Sequence, residues 1–358
     1  MEPEQDDTDI FYDAIDDQAV SLCPQTAANP FPQSAPALSP RPSLSQPLSP
    51  ARLSLPLPAR SIPMSCHNKP VKEFSCLSLV QEIQVSSGTE TAIWVARFSP
   101  SARYLAVTGQ DPTIWLYAAA DSEGSTVLES KPYRSYVGHT KPVVDLAWAS
   151  SSSYFLSSSM DKCVILWQLD SSFQLHCFSH PDIVSCVCFS PSSDDFFLSG
   201  CFDRMIRIWN VREDRVEACY QTTDLVTALA VNAETGLTAV GLRNGVCMIY
   251  ETVQGGKLRF NGQVDCRNRK GRKASGRKVT GIAFFEDAIL VTTNDSRMRL
   301  INLQNFSTQQ KYKGARNEHA PIRASFSSSF AHVICGSDTG QVYIWNVYSA
   351  HVPLVKSE

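Results

Sequence analysis

Residues 161–167 read Asp-Lys-Cys-Val-Ile-Leu-Trp, and residues 203–209 read Asp-Arg-Met-Ile-Arg-Ile-Trp. Each stretch begins with an acid suited to a turn, continues with alternating apolar residues, and ends on an aromatic residue. Alternation with a period of two predicts a β-strand that buries one face. Because both stretches share one frame, they predict a repeated structural unit rather than two unrelated strands.

The same frame recurs along the chain. The last position of each copy is, in order, 117, 167, 209, 250, 301 and 345, so successive copies are 50, 42, 41, 51 and 44 residues apart. A period of roughly 40–45 residues is typical of a four-stranded propeller blade. Two further short apolar strands precede each copy, and this region has no sustained helical periodicity. The sequence therefore predicts an all-β propeller over residues 76–348, followed by a tail over residues 349–358.

The number of blades is open at this stage. Six copies of the frame are visible, and only 13 residues follow Trp345. The last unit is therefore expected to have three strands, with residues 77–85 supplying its outer strand. A six-bladed ring and a seven-bladed ring that lacks one repeat both fit this count.

Two units contain an additional set of polar residues. The sets are His139, Ser157, Asp161 and Trp167, and His180, Ser199, Asp203 and Trp209. Serine, histidine and aspartate together are typical of a hydrolase triad. However, a catalytic site has no reason to recur at the period of the fold, whereas a hydrogen-bond network that joins the strands of each blade does. The sets thus predict structural networks, and the chain is expected to be neither an enzyme nor a cofactor or metal binder.

The N-terminal part has a different composition from the repeats. Of the 21 prolines, 13 lie within the first 70 residues. Such a segment cannot bury enough apolar surface to offset its chain entropy, which predicts a disordered arm. Within this arm we distinguish an acidic tip over residues 1–17 from a Pro/Ser-rich linker over residues 18–72.

Charge and hydropathy exclude several classes of protein. A formal net charge of -3 argues against a chain-wide polybasic nucleic-acid binder. No apolar run approaches the roughly 18–20 residues of a membrane span, and the start of the chain lacks the pattern of a secretory signal. We therefore expect a cytoplasmic protein whose 12 cysteines are reduced.

The repeats resemble a known family. Gly138-His139 with the 161–167 frame is similar to the WD repeat, although Ile208-Trp209-Asn210 stands where that family has Trp-Asp. Four segments resemble more closely the rabphilin-like WD-repeat effectors of a recycling-endosome Rab GTPase: 157–162, 276–281, 293–297 and 311–314. That resemblance implies a non-enzymatic scaffold of membrane trafficking whose partner is a Rab-type small GTPase.

The acidic tip resembles the opening of the same proteins and the FFAT motif, an aromatic pair within an acidic tract. The matching residues are Ile10, Phe11, Tyr12, Asp13, Ala14 and Asp16. Ile10 departs from the usual leading glutamate. The resemblance implies binding to VAP-family receptors of the endoplasmic reticulum, with the tract attracted to a basic surface and the aromatics as anchors. The implied location is peripheral, on endosomal or tubular membranes and at contacts with the endoplasmic reticulum.

Two further segments are candidate binding sites. Pro47, Pro50 and Arg52 fit the PxxPx(R/K) pattern of a polyproline II ligand, which implies SH3-domain partners. A basic loop lies between two repeats and consists of Arg267, Arg269, Lys270, Arg272, Lys273, Arg277 and Lys278. This loop fits either contact with anionic lipid or an acidic partner, or a solvated insertion. No other basic stripe accompanies it, so nucleic-acid binding is not expected.

A rival function comes from another class of protein. Residues 208–212 read Ile-Trp-Asn-Val-Arg and resemble the Trp-x-x-Arg box by which some WD-repeat proteins dock a cullin-ligase adaptor. The alternative to the trafficking scaffold is therefore a substrate receptor of a cullin ubiquitin ligase, with Arg212 at the adaptor contact.

Overall fold

The structure is a computed structural model that describes residues 60–62, 64–66, 77–85, 91–120, 127–191, 193–253, 256–267, 278–348 and 353–356. These residues form short β-strands joined by turns. Among them, no helix has the length and apolar character that a membrane span requires. The strands are, in chain order, β1 (Arg60–Ile62), β2 (Met64–Cys66), β3 (Leu77–Leu79), β4 (Ile93–Phe98), β5 (Tyr104–Gly109), β6 (Ile114–Ala118), β7 (Arg134–Tyr136), β8 (Val143–Trp148), β9 (Tyr154–Ser159), β10 (Cys163–Gln168), β11 (Gln174–Ser179), β12 (Val184–Phe189), β13 (Phe196–Cys201), β14 (Met205–Asn210), β15 (Arg215–Gln221), β16 (Val226–Val231), β17 (Leu237–Leu242), β18 (Val246–Thr252), β19 (Leu258–Asp265), β20 (Val279–Phe285), β21 (Ala288–Thr293), β22 (Arg297–Asn302), β23 (Thr308–Lys313), β24 (Ser325–Phe326), β25 (His332–Cys335), β26 (Gln341–Asn346) and β27 (Pro353–Lys356).

Six antiparallel sheets form the blades of a β-propeller. Blades 1 to 5 consist of β4–β7, β8–β11, β12–β15, β16–β19 and β20–β23, each with its strands in chain order. Blade 6 consists of β24–β27, and β2 pairs with β27 as a fifth strand, while β1 and β3 form a separate two-stranded sheet. The predicted all-β propeller is thereby confirmed, with six blades.

The outer edge of blade 6 differs from the expectation. β27 pairs with β26, with Val342 opposite Val355, so this blade has a fourth strand in the segment assigned to a tail. The strand Leu77–Leu79 pairs with Arg60–Ile62 instead of with blade 6. The prediction that residues 77–85 close the last unit was therefore wrong. A strand of four residues is too short to show alternation, and its first residue is a proline, which a strand tolerates at that position.

The first residue of the frame has a local structural role in four of the six copies. Its side-chain oxygen accepts a hydrogen bond from the backbone N–H two residues later, as Asp161 does from Cys163 at 3.0 Å and Asp203 from Met205 at 3.1 Å. This Asx-type turn lets a short polar side chain stabilise the tight connection between two strands. The turn thus explains why the repeat begins with Asp, or with Asn at position 244.

Apolar side chains of neighbouring blades interlock between the sheets. Among the described residues, each of the five junctions from blade 1 to blade 6 holds one buried apolar cluster. Between blades 1 and 2, for example, Trp167 packs edge-on to Tyr136, with ring centroids 5.4 Å apart. Large aromatic rings supply much of the stabilisation at such contacts, because each buries a large apolar area. The core of the protein is therefore divided into layers between the blades.

The two innermost strands of each of the first five blades share a β-bulge at the same place, for example between Val184 and Cys186. In blades 3, 4 and 5 the side chain at the bulge reaches the neighbouring blade. Ser185 Oγ donates to the Val226 carbonyl, as does Thr227 Oγ1 to that of Val279, both at 2.6 Å. Thr280 Oγ1 donates to the next blade in the same way, at 2.7 Å. We call these three contacts the bulge clasps.

Candidate functional site

The four predicted polar residues of blade 2 form one continuous network. Trp167 Nε1–H donates to Ser157 Oγ at 2.8 Å, and Ser157 Oγ lies 2.6 Å from His139 Nε2. His139 Nδ1 lies 2.8 Å from Asp161 Oδ2. Because an ionised carboxylate can only accept, Nδ1 carries the imidazole proton and Nε2 accepts from the serine hydroxyl. The network therefore links four parts of the blade: the loop before β8, which contains His139, the strand β9 with Ser157, the turn between β9 and β10 with Asp161, and the strand β10 with Trp167.

The Asp161 carboxylate is the strongest acceptor of this network. Burial raises its pKa, but hydrogen bonds from His139 and from the backbone N–H groups of Thr140 and Cys163 outweigh that effect and hold the pKa below its ordinary value. Hydrogen bonds to the charged form of a carboxylate act in this direction. Asp161 is thus an ionised anchor for both the histidine and the turn.

Blade 3 forms only part of the predicted network. Trp209 Nε1–H donates to Ser199 Oγ at 3.0 Å, and Ser199 Oγ lies 2.8 Å from His180 Nε2. His180 Nδ1, however, donates to the Phe178 carbonyl at 3.0 Å and not to Asp203. The carboxylate of Asp203 pairs with another side chain. The prediction that Asp203 orients the blade 3 histidine was therefore wrong.

An arginine explains the difference between the two blades. Arg207 bonds to Asp203 from the third strand, four residues along the chain. Blade 5 has the same pairing, in which Arg299 Nη2 donates to Asp295 Oδ2 at 2.9 Å. Blade 2 has the apolar Ile165 at this position. Sequence reasoning missed the pairing. The signal that could have revealed it is an arginine within the third strand, four residues after the turn aspartate.

The serine and histidine side chains are closed off from solvent. Ser157 and Ser199 are completely buried, and His139 and His180 are almost so. A nucleophile has to reach a substrate, and neither hydroxyl does. Burial, together with the nearby Arg207 guanidinium, lowers the pKa of His180 to about 4, so this imidazole is neutral at physiological pH. Both networks are structural supports of their blades.

A second charged cluster lies among the innermost strands. Asp145 of blade 2 is almost fully buried, and its Oδ1 accepts a hydrogen bond of 2.6 Å from Arg323 Nη1, which belongs to blade 6. Arg97 of blade 1 lies 3.8 Å from the same oxygen, and the Val187 N–H donates to Oδ2 at 3.3 Å. The sequence analysis did not identify these charges, although each interrupts an apolar inner strand. The cluster ties blade 6 to blade 2.

Of the other predicted binding residues, Arg212 and Arg267 lie on the surface, Lys278 is buried, and the rest lie outside the described residues. Arg212 is exposed at the end of the strand that carries Trp209, and its Nε donates to Asp195 Oδ1 at 2.7 Å. Arg267 pairs with Asp265 at 2.7 Å. Lys278 is buried, and burial together with the Arg243 charge lowers its pKa to about 7. The predicted residues outside the described part are Ile10, Phe11, Tyr12, Asp13, Ala14, Asp16, Pro47, Pro50, Arg52, Arg269, Lys270, Arg272, Lys273 and Arg277.

The ring of four-stranded sheets and the Trp–Ser–His–Asp network define a class of protein, the WD-repeat propellers. The family model described as the WD domain, G-beta repeat, matches residues 130–168 and 172–210, which include all residues of both networks. The chain is a WD-repeat protein.

Within this class, the chain is similar to WD repeat-containing protein 44 of Xenopus laevis, with 33% identity over 329 residues that cover 77% of this chain and 35% of the relative. An uncharacterized WD repeat-containing protein of Schizosaccharomyces pombe is 26% identical over 72% of this chain and 48% of its own length. The 2-deoxy-glucose resistant protein 2 of Saccharomyces cerevisiae is 26% identical over 62% of this chain and 28% of its length. The chain thus spans less than half the length of these relatives.

Proposed function

We propose that this chain is a non-enzymatic scaffold of membrane trafficking that binds a Rab-type small GTPase and is tethered to VAP-family receptors of the endoplasmic reticulum. The observation that carries the proposal is the 33% identity to WD repeat-containing protein 44 over 77% of the chain. The acidic tip with Phe11 and Tyr12 supports the tethering part. The propeller supplies a rigid platform, and the arm supplies short binding motifs.

The physical case for the tether rests on the order of residues in the tip. Eight acidic residues and no basic one lie within the first 17 positions, and Phe11 and Tyr12 fall inside that tract. Long-range attraction brings such a segment to a basic receptor surface quickly, and burial of the aromatics then slows its release. The tip therefore combines the two properties that a short tethering motif needs.

The test is binding of the full chain to the purified major-sperm-protein domain of a VAP receptor. Phe11→Ala is expected to weaken binding at least tenfold, because truncation of a buried aromatic anchor in a protein interface costs about 2 kcal/mol or more. Phe173→Ala is the matched control, since Phe173 is an exposed phenylalanine of blade 2 and lies outside the motif. Equal affinity of the Phe11→Ala variant and the parent chain would contradict the tether.

The GTPase part of the proposal has its own test. Endosomal Rab proteins loaded with a non-hydrolysable GTP analogue are expected to bind the chain, whereas the GDP-loaded forms are not. No preference for the nucleotide state with any of these proteins would refute the effector role.

The ligase alternative is supported by the exposure of Arg212 at the end of the Trp209 strand. Its test is capture of a cullin-ligase adaptor, and loss of that capture in Arg212→Ala would favour a substrate receptor. The two functions are thus separable, because Phe11→Ala affects only the tether and Arg212→Ala only the adaptor contact.

A further inference from the structure

The junction between blade 6 and blade 1 differs from the other five. Each of the others contains an apolar cluster with residues from both blades, but among the described residues no cluster joins blade 6 to blade 1. On blade 1, the buried residues Val107, Tyr117 and Leu128 pack instead against Ile83 and Val85, which precede the first blade. The outer part of this junction is therefore covered by a local segment and not by blade 6.

The exposure of the first inner-strand residue shows the same difference. Val143, Val184, Val226 and Val279 begin the inner strands of blades 2 to 5, and all four are completely buried. Ile93 has the equivalent position in blade 1, yet it is 53% exposed. Each valine packs against a neighbouring blade, whereas Ile93 faces the junction with blade 6. A large apolar side chain is thus left in solvent at a position that the fold otherwise buries.

The bulge clasps also end at this junction. The position that holds Ser185, Thr227 and Thr280 in blades 3 to 5 is Arg323 in blade 6. Arg323 does not bond to blade 1; its guanidinium passes on to Asp145 and the Val144 carbonyl of blade 2. Besides its contacts with blade 5, blade 6 is therefore bonded through Arg323 to blade 2, and this side chain bypasses the neighbouring blade 1.

A cavity of about 330 Å³ lies at this place, between the inner strand of blade 1 and residues 320–325. We call it the axial seam. Apolar residues line most of it, among them Ile93, Trp94 and Ile322, and Arg97 and Arg323 line the rest together with Ser325. Among the described residues, Asp145 is the one carboxylate within 4 Å of these two arginines, so the three side chains together carry one positive charge in excess. The Arg97 side chain is 49% exposed and lies 3.8 Å from the Asp145 carboxylate, so an anion from solvent can reach it as a second partner.

We propose that the axial seam binds an extended acidic peptide of a partner protein. Apolar side chains of the peptide cover Ile93 and Ile322, and a carboxylate of the same peptide pairs with Arg97. An aliphatic wall beside a guanidinium matches a segment that contains both apolar and acidic residues, because the first bury apolar surface and the second form a charge-assisted hydrogen bond. This site is separate from the N-terminal motif, so it neither requires nor excludes the proposed tether.

The probe is a short fluorescein-labelled peptide in which leucine alternates with glutamate, measured by fluorescence anisotropy against the full chain. The parent chain is expected to bind it, and a matched peptide with glutamine in place of glutamate is expected to bind about tenfold more weakly. A tenfold loss is the effect expected when one charge-assisted hydrogen bond is removed. Equal binding of the two peptides would overturn the proposal, as would no binding of the acidic one.

Variants of the chain locate the site. Arg97→Gln and Ile93→Asp are each expected to weaken binding of the acidic peptide about tenfold, while Arg97→Lys retains most of it because the charge is kept. Arg103→Gln is the control, since Arg103 is an exposed arginine of blade 1 outside the seam. Ile93 is about half exposed, so Ile93→Asp is expected to melt like the parent chain. Arg97→Gln also removes a charge 3.8 Å from the buried Asp145 carboxylate, so its melting temperature is compared with that of Arg97→Lys, which keeps the charge. Unchanged binding in Arg97→Gln, or an equal loss in Arg103→Gln, would refute the site.

Discussion

Ser157 is the centre of the blade 2 network, and its replacement by alanine gives the sharpest test of that network. The hydroxyl accepts from Trp167 Nε1–H and donates to His139 Nε2. Ser157→Ala removes both bonds and leaves a buried donor and a buried acceptor without a partner. Each such group costs about 1–3 kcal/mol, so we expect the free energy of unfolding to fall by about 2–4 kcal/mol.

A double-mutant cycle with Trp167→Phe separates this network from simple loss of volume. Trp167→Phe removes the indole N–H, so the phenylalanine background has no orphaned donor when Ser157 is also replaced. Ser157→Ala should therefore cost about 1–2 kcal/mol less in that background than alone. Urea unfolding followed by circular dichroism measures all four proteins, and an unchanged slope with denaturant shows that the same surface is exposed in each.

The outcome that refutes this reasoning is additivity. If the two substitutions add within about 0.5 kcal/mol, the indole N–H and the serine hydroxyl are not coupled and the network does not stabilise the blade. The matched comparison is Ser199→Ala with Trp209→Phe in blade 3, where the same two bonds exist. A similar coupling there is expected even though Asp203 does not reach the histidine, because the coupling depends only on the tryptophan and serine.

Three other perturbations test separate parts of the fold. His180 has a pKa of about 4 in the folded chain against an ordinary 6.5, so the unfolded chain takes up the proton first as the pH drops. The free energy of unfolding should therefore fall by about 3 kcal/mol between about pH 6.5 and about pH 4. The difference between the stability curves of the parent chain and His180→Gln should show this loss. Gly200→Ala would place a Cβ in a clash with a Val226 methyl of blade 4, so it should cost about 1–3 kcal/mol. Gly336→Ala, with its nearest atom 4.0 Å away, should be close to neutral by thermal melting. Arg323→Met leaves the buried Asp145 carboxylate without its main partner and should lower the free energy of unfolding by about 3–5 kcal/mol. Adding Asp145→Asn should recover part of that loss. No recovery in the double variant would show that packing, not charge, holds Arg323 in place.

The repeat frame predicted the architecture well because it records local geometry. The acid makes its contact within a tight turn of one blade, whereas the alternation and the terminal aromatic place one face of the third strand against a neighbouring blade, and both arrangements recur. The position of Asp203 could not be predicted in the same way. It depends on competition between a histidine and Arg207, and the arginine prevails because two opposite charges pair more strongly than a carboxylate and a neutral imidazole. The frame contains no information on such a competition.

The limits of the sequence are clearest at contacts between blades. Asp145 and Arg323 are 178 positions apart, and nothing in either neighbourhood indicates that they meet. Only the closure of the ring brings them together. Their signal was indirect, since a charge within an apolar inner strand requires a buried partner of opposite sign. A charge in such a strand indicates that a partner is needed, but only the topology determines which partner it has.

The place where the repeat pattern fails is also the place where the ring has free binding surface. At four junctions the first inner-strand residue is a fully buried valine, so a partner would have to displace a packed blade to reach it. At the junction of blades 6 and 1, Ile93 is already exposed and the Arg97 side chain is half exposed. A partner can therefore gain apolar contact and an ion pair there without displacing a packed blade. Binding energy at a scaffold comes from surface that folding leaves unpaired. Arg323 occupies the position of a bulge clasp but bonds to blade 2 instead of to the next blade. This arrangement therefore joins blade 6 to blade 2 and leaves the inner strand of blade 1 accessible.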